Sequence, residues 1–178
     1  MRQSILRYFI SLLLVSLCIC SATSIFIISG SMKEDSEREM MYSVKLIEYN
    51  LDYSKDLNTQ IETLNPLAFS DDTRISVIDE KGKVLADTYK NDISSNHLKR
   101  EEVQQALHSS NHEGYAMRRS ETTNQPLLYA AYYKDNHIIR LSIPYSGVWG
   151  YFPELAPAFS ISILISILFS YIVARKLS

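Results

Sequence analysis

The sequence predicts an α+β body, with a five-stranded, mostly antiparallel sheet, held between two membrane-spanning helices. Three observations predict it. Residues 8–29 and 155–174 carry no charged side chain. Every carboxylate of the chain, 20 in all, lies between those runs. Within the middle stretch, apolar spacing changes from helical to alternating after Pro66.

The first apolar run, Tyr8–Ser29, would rise about 33 Å as a helix and the second, Leu155–Ala174, about 30 Å, each enough to cross a hydrocarbon core. Backbone groups in lipid must pair internally, so both are expected to be helical. Pro157 is expected in the first turn of the second span, where its missing N–H costs little. Arg2 and Arg7 precede the first span, and Arg175 and Lys176 follow the second. Residues 30–154 set 14 cations against the 20 carboxylates, a net charge of −6. The cation bias places residues 1–7 and 175–178 in the cytoplasm and 30–154 outside the cell. Trp149, Tyr151 and Phe152 sit where an interfacial aromatic belt would. A cleaved signal peptide is the rival reading of the N-terminus, but its apolar core would be shorter than this run. The two cysteines, Cys18 and Cys20, both fall in the first span, so the body is expected to be stabilised by its core rather than by disulfides. A net-acidic body without a basic block argues against a nucleic-acid partner.

Ser31–Asn65 reads as one long helix, with Met40, Val44, Ile47, Leu51, Leu57, Ile61 and Leu64 at helical spacing and Pro66 as its stop. Gly30 is a possible soft point where it continues the first span. The plain reading is that this stripe packs on the body; because it is longer than one small sheet covers, part of it could also form a homodimer seam. Thr73–Asp79 and Val84–Thr88 read as a hairpin whose turn, Glu80–Lys83, uses Gly82 for a positive φ. Asn91–Asn96 is expected to be loop, and Arg100–Ser109 a short helix with Glu101 and Glu102 in its favourable first turn. Gly114–Arg119, Leu127–Tyr133 and His137–Ile143 read as three strands, the last two joined by Lys134–Asn136. In the last strand Ile139, Leu141 and Ile143 line one face and Arg140 and Ser142 the other. A hairpin at each end suggests an antiparallel sheet with helices on one face.

Four segments in this order, IDEKGKVLADT (Ile78–Thr88), NHLKREEVQQAL (Asn96–Leu107), RRSET (Arg118–Thr122) and LLYAAYYKDNHIIRLSIP (Leu127–Pro144), resemble the outer sensor region of PhoR-type, phosphate-regulon sensor histidine kinases. The resemblance implies a PAS-like, single-Cache domain between two membrane helices. It also implies a homodimer that passes an outside signal to a cytoplasmic kinase, which phosphorylates a response regulator. The motif positions it marks here are Asp79, Gly82, Asp87, Asn96, Arg100, Glu102, Arg118 and Arg140. The chain departs from the family pattern at Glu101, where proline is usual, and at Thr88, where serine is common. It ends at about the place where the family's cytoplasmic helix pair begins. The phosphoacceptor box and Gly-rich nucleotide lid are not in the sequence, and all four histidines lie in the outer stretch. The expectation is therefore a fragment or a truncated product that is not itself an enzyme and carries no cofactor. A chemoreceptor, a cyclic-dinucleotide enzyme, or a separate membrane protein that binds a sensor kinase are the alternatives.

Candidate sites are few. Asn96 and His97 could gate a ligand pocket, against a plainer role as a cap and turn that dock the short helix. Arg118, Tyr129 and Arg140 could share a concave face and bind a carboxylate or phosphate. The plainer reading pairs the arginines with Asp79 or Asp87 across strands. His108 and His112 are spaced as two helical metal ligands, but Ser109–Asn111 between them reads as a helix end and no third ligand is evident, so no metal site is expected. No nucleophile–base constellation stands out.

Overall fold

The computed structural model of the chain describes residues 2–65, 72–89, 96–120 and 124–177. They form two units, one of residues 1–30 with 146–178 and one of residues 31–145.

The first unit is helical. Helix α1, Arg2–Asn50, contributes its N-terminal part. Its side chains from Val15 to Ile28 are exposed all round, Phe26 at 80%. The Thr23 hydroxyl donates to the Ile19 carbonyl, so it too is satisfied within the helix. Among the described residues one helix, 15–50, is long and apolar enough to cross a membrane, with a mean hydropathy of 1.8 in its most apolar window. A 3-10 turn, Gly147–Tyr151, leads into helix α4, Phe152–Leu177. The aromatic trio Trp149, Tyr151 and Phe152 is exposed. Pro157 is not in the first turn as expected but inside α4, because the helix already starts at Phe152. Pro153 holds the first-turn place instead, where a proline is at ease.

The second unit is the α+β body. Helix α1 runs unbroken through Gly30 and ends at Asn50 rather than Asn65. The expected single helix is in fact two, since α2 spans Leu57–Leu64. The chain breaks because Asp52 and Asp56 offer the backbone better partners than the helix does. The Asp52 carboxylate accepts from the Ser54 N–H and hydroxyl, and Asp56 caps α2 by accepting from Thr59 N at 2.9 Å. The Gln60 side chain bridges the break, accepting from Asp52 N and donating to Asp52 O. The expected stop at Pro66 and the loop from Asn91 to Ser95 lie outside the described residues.

The five strands are β1 (Arg74–Asp79), β2 (Val84–Asp87), β3 (Glu113–Arg119), β4 (Pro126–Lys134) and β5 (His137–Pro144). A short helix, α3 (Glu101–His108), precedes β3. The strand order is β2-β1-β5-β4-β3 with every neighbouring pair antiparallel. Helices cover both faces of this sheet, not one as expected, because alternate residues of the central strands are apolar on both sides. Ile75, Val77, Ala130, Ile139 and Leu141 pack against Met40, Val44 and Ile47 of α1 and Ile61 of α2. Ile78, Ala131 and Ile138 pack against Val103 and Ala106 of α3 on the opposite face. Salt bridges from Lys45 to Glu113 and from Lys134 to Glu48 fasten α1 to the sheet at its margins.

Two glycines set how α3 is placed. Gly82 turns the β1–β2 hairpin at φ +82°, and a Cβ there would lie 2.5 Å from the Asn96 side-chain oxygen. Gly114 on β3 lies under α3, where a Cβ would strike the Glu102 carbonyl and come within 2.7 Å of Ala106 N. Strand β3 is an edge strand, and its Tyr115 N–H donates to the Gln105 side chain of α3 at 2.9 Å. The neighbouring Glu113 N–H donates to Asn111 Oδ1.

Candidate functional site

The face of the sheet that meets α3 carries apolar packing and, beside it, a run of buried charge. Register explains the run. Ser76 of β1 lies between Asp87 of β2 and Arg140 of β5, so three polar side chains stand in a row across three strands. Ala116 pairs with Tyr129 and Arg118 with Leu127, which puts Arg118 and Tyr129 on the same face at the β3 end.

The contacts form a chain. Arg74 grips Asp87 through Nε and Nη2, both at 2.9 Å. Ser76 Oγ donates to Asp87 Oδ2 at 2.8 Å and accepts from Arg140 Nη2 at 3.0 Å. Arg140 is 3% exposed, and its Nη1 stands 3.6 Å from Glu102 Oε1, beyond hydrogen-bond range. Glu102, fully buried on α3, is held in a fork by Arg118, at 2.5 Å and 3.0 Å. The Tyr129 ring lies 3.7 Å from the Arg118 guanidinium and 5.7 Å from that of Arg140. Burial pushes the Arg140 guanidinium below its ordinary pKa, Glu102 opposes that shift, and Arg74 adds to it. Its Nε meets no acceptor among the described residues.

The structure thus brings Arg118, Tyr129 and Arg140 together, as the sequence suggests. It does not pair either arginine with Asp79: that carboxylate instead accepts from the N–H groups of Lys81 and Lys83 and shapes the hairpin turn. Asp87 answers Arg74, a residue not singled out in the sequence. The partner of both site arginines is Glu102, marked in the sequence only as a motif position. Its signal was there to read, since a carboxylate shares the inner stripe of α3 with Val103 and Ala106. Asn96 takes the plainer role. It donates to the Lys81 carbonyl, accepts from Leu98 N, and so clasps the hairpin turn. His97 is buried beside it, its N–H donating to the Gly82 carbonyl at 2.7 Å. Its carbonyl accepts from Arg100 N, at the start of α3. His108 is tied to the Gln104 carbonyl, and His112 sits edge-on to Tyr133 at a positive φ.

A concavity of about 320 Å³ opens between α1 and β3, away from this cluster. Its Glu113 is taken up by Lys45, Asn111 and Tyr115. Burial and then Glu113 push the Tyr115 hydroxyl pKa up. These groups satisfy one another.

With this geometry in view, comparisons with solved structures place the fold. The YkuI protein of Bacillus subtilis, solved with its EAL domain in complex with c-di-GMP and calcium, matches with a TM-score of 0.51 at 17% identity. The match covers 72% of this chain and 36% of that one. The two share a fold. This chain therefore corresponds to about a third of that protein's length. Looser likenesses reach a methyl-accepting chemotaxis protein of Vibrio parahaemolyticus (TM-score 0.48, 18% identity, 69% of this chain and 97% of that one). The ligand-binding domain of the Campylobacter jejuni chemoreceptor Tlp3 gives 0.48 at 16% identity, over 67% and 55%. No protein-family model matches the chain, and no curated protein does.

Proposed function

We propose that this chain is a membrane-anchored signal-sensing module of the sensor histidine kinase kind, with its α+β body outside the cell and α4 as a second span. The observation that carries the reading is helix α1. From Val15 to Ile28 it exposes apolar side chains, while Met40, Val44 and Ile47 further along the same helix belong to the core of the body. A helix anchored in lipid at one end and packed into a folded body at the other has the form of a transmitting element. The PhoR-like segments and the concentration of cations at residues 2–7 and 175–176 support the same reading. In that architecture the phosphoryl chemistry belongs to a cytoplasmic region beyond the second span, and residues 1–178 perform no reaction. Signalling requires only that a stimulus favour one arrangement of the body over another.

A homodimer completes the proposal. The stripe through Met40, Val44, Ile47 and Leu51, where the sequence allowed a seam, is taken up by the core. The exposed stripe is Tyr42, Leu46 and Tyr49 on the opposite face of α1, with Tyr42 69% and Tyr49 82% exposed. Two parallel copies could bury that stripe symmetrically. The second reading keeps the sensor and changes the output to cyclic-dinucleotide or chemotactic signalling. The shared fold with a Bacillus subtilis protein that carries an EAL domain favours the cyclic-dinucleotide form of it.

The test joins residues 1–178 to the cytoplasmic region of a PhoR-type kinase and follows transfer of labelled phosphate in membranes. The expected result is transfer that Gly114→Ala, which unseats α3, changes severalfold. Transfer indifferent to every substitution that disturbs the folded body would overturn the proposal.

A further inference from the structure

We propose that Glu102 is an internal stand-in for a small oxyanion ligand, a carboxylate or a phosphate, that binds Arg118 and Arg140 against the Tyr129 ring and displaces α3.

The contacts around Glu102 are those an oxyanion site needs. A guanidinium fork holds both oxygens, a second guanidinium stands 3.6 Å away, and an aromatic ring backs the pair. Glu102 fills that site from α3, which buries only Glu102, Val103 and Ala106. One of the three is thus charged, and its two neighbours on that face are small. A buried ion pair stabilises a fold less than a well-packed apolar pair of the same volume. Losing one partner of such a pair is costly because it strands the other charge, and an incoming oxyanion that takes over both guanidiniums avoids that outcome. Arg140 has unused capacity as well, because its Nε meets no acceptor among the described residues. The side chain of Arg118 is 28% exposed while that of Glu102 is wholly covered. Solvent therefore reaches the cluster from the Arg118 side, where an incoming anion would meet the fork first. Exchange of one oxyanion for another keeps both guanidiniums neutralised, and what changes is whether α3 is held.

This inference rests on the sensing role for its consequence but not for the binding. The experiment uses the full chain in detergent micelles, with succinate and inorganic phosphate as probes and sodium chloride at equal ionic strength as reference. Binding is followed by calorimetry and folding by circular dichroism. Saturable binding of one probe is expected, about tenfold tighter in Glu102→Gln, as when an internal competitor occupies the site in nine molecules of ten. Which of the two binds identifies the ligand as carboxylate or phosphate. Arg118→Gln should abolish binding while the body stays folded. Should Glu102→Gln fail to fold, Glu102→Asp, whose carboxylate is drawn back by one methylene, should show the tightening in smaller degree. Probes no better than chloride in both the parent chain and the Glu102 variant overturn the inference, as does an affinity that ignores Glu102. Binding as described without any change in phosphate transfer by the fusion would sink the sensing role and leave the site standing. A transfer response that survives Arg118→Gln would sink the site and leave the role.

Discussion

Single residues fix the geometry of the charged face. Removing the Glu102 carboxylate altogether, as in Glu102→Ala, leaves two guanidiniums without their shared counterion. The expected cost is about 3–5 kcal/mol, read from urea unfolding of the purified chain. Gly114→Ala places a methyl group against the Glu102 carbonyl. It should cost about 1–3 kcal/mol through overpacking, and Gly114→Ser should be no milder. Asp52 offers a test by pH. Hydrogen bonds from the Ser54 and Lys55 side chains, then from the Ser54 N–H, lower its pKa to about 2. A carboxylate with a depressed folded-state pKa contributes stability above about pH 4. That contribution fades as pH falls through about 2. The difference in stability between the parent chain and Asp52→Asn should therefore be constant near neutrality and shrink on the acid limb. At this scale the sequence was half legible. Strand alternation allowed Arg118, Tyr129 and Arg140 to share a face, and the register of β3, β4 and β5 was needed to group them. Their partner could not be read, because Glu102 reaches them from a helix whose docking face depends on packing between distant segments.

At the scale of elements, the strands were readable almost to the residue. Ile139, Leu141 and Ile143 alternate with Arg140 and Ser142, and no other regular backbone sorts them that way. Ile139→Ala, at the centre of the larger core, should cost about 2–5 kcal/mol. The break between α1 and α2 was hidden because Leu51, Leu57, Ile61 and Leu64 keep a helix-like apolar rhythm across it. The countersignal lay in the polar residues, where Asp52, Ser54 and Asp56 cluster within five positions. Asp56→Ala should cost about 1 kcal/mol by loss of the α2 cap, and thermal unfolding would register it. The covering of both sheet faces was missed for another reason. The hydrophobic side of α3 is short, and only the sheet's pairing shows that Ile78, Ala131 and Ile138 meet it. The outer stripe of α1 yields a prediction about association. Tyr49→Cys in oxidising membrane preparations should give a disulfide-linked dimer, whereas a cysteine at Glu48, which faces the sheet, should not. Equal cross-linking at both positions would count against a parallel seam.

For the whole molecule, the segregation of charge and apolar length was the strongest signal in the sequence, and α1 carries it into structure. Topology can be read directly. A cysteine replacing the exposed Lys81 should react with a membrane-impermeant maleimide on intact cells, and protection there would reverse the proposed orientation. The sheet also has an open flank to manage, and the first half of β3 does so with its own neighbours. Tyr115 and Glu113 turn their N–H groups toward Gln105 and Asn111 rather than outward. A foreign strand approaching that rim finds its donors already engaged. Strand-to-strand pairing of two such bodies through that half of the rim would have to break these bonds first.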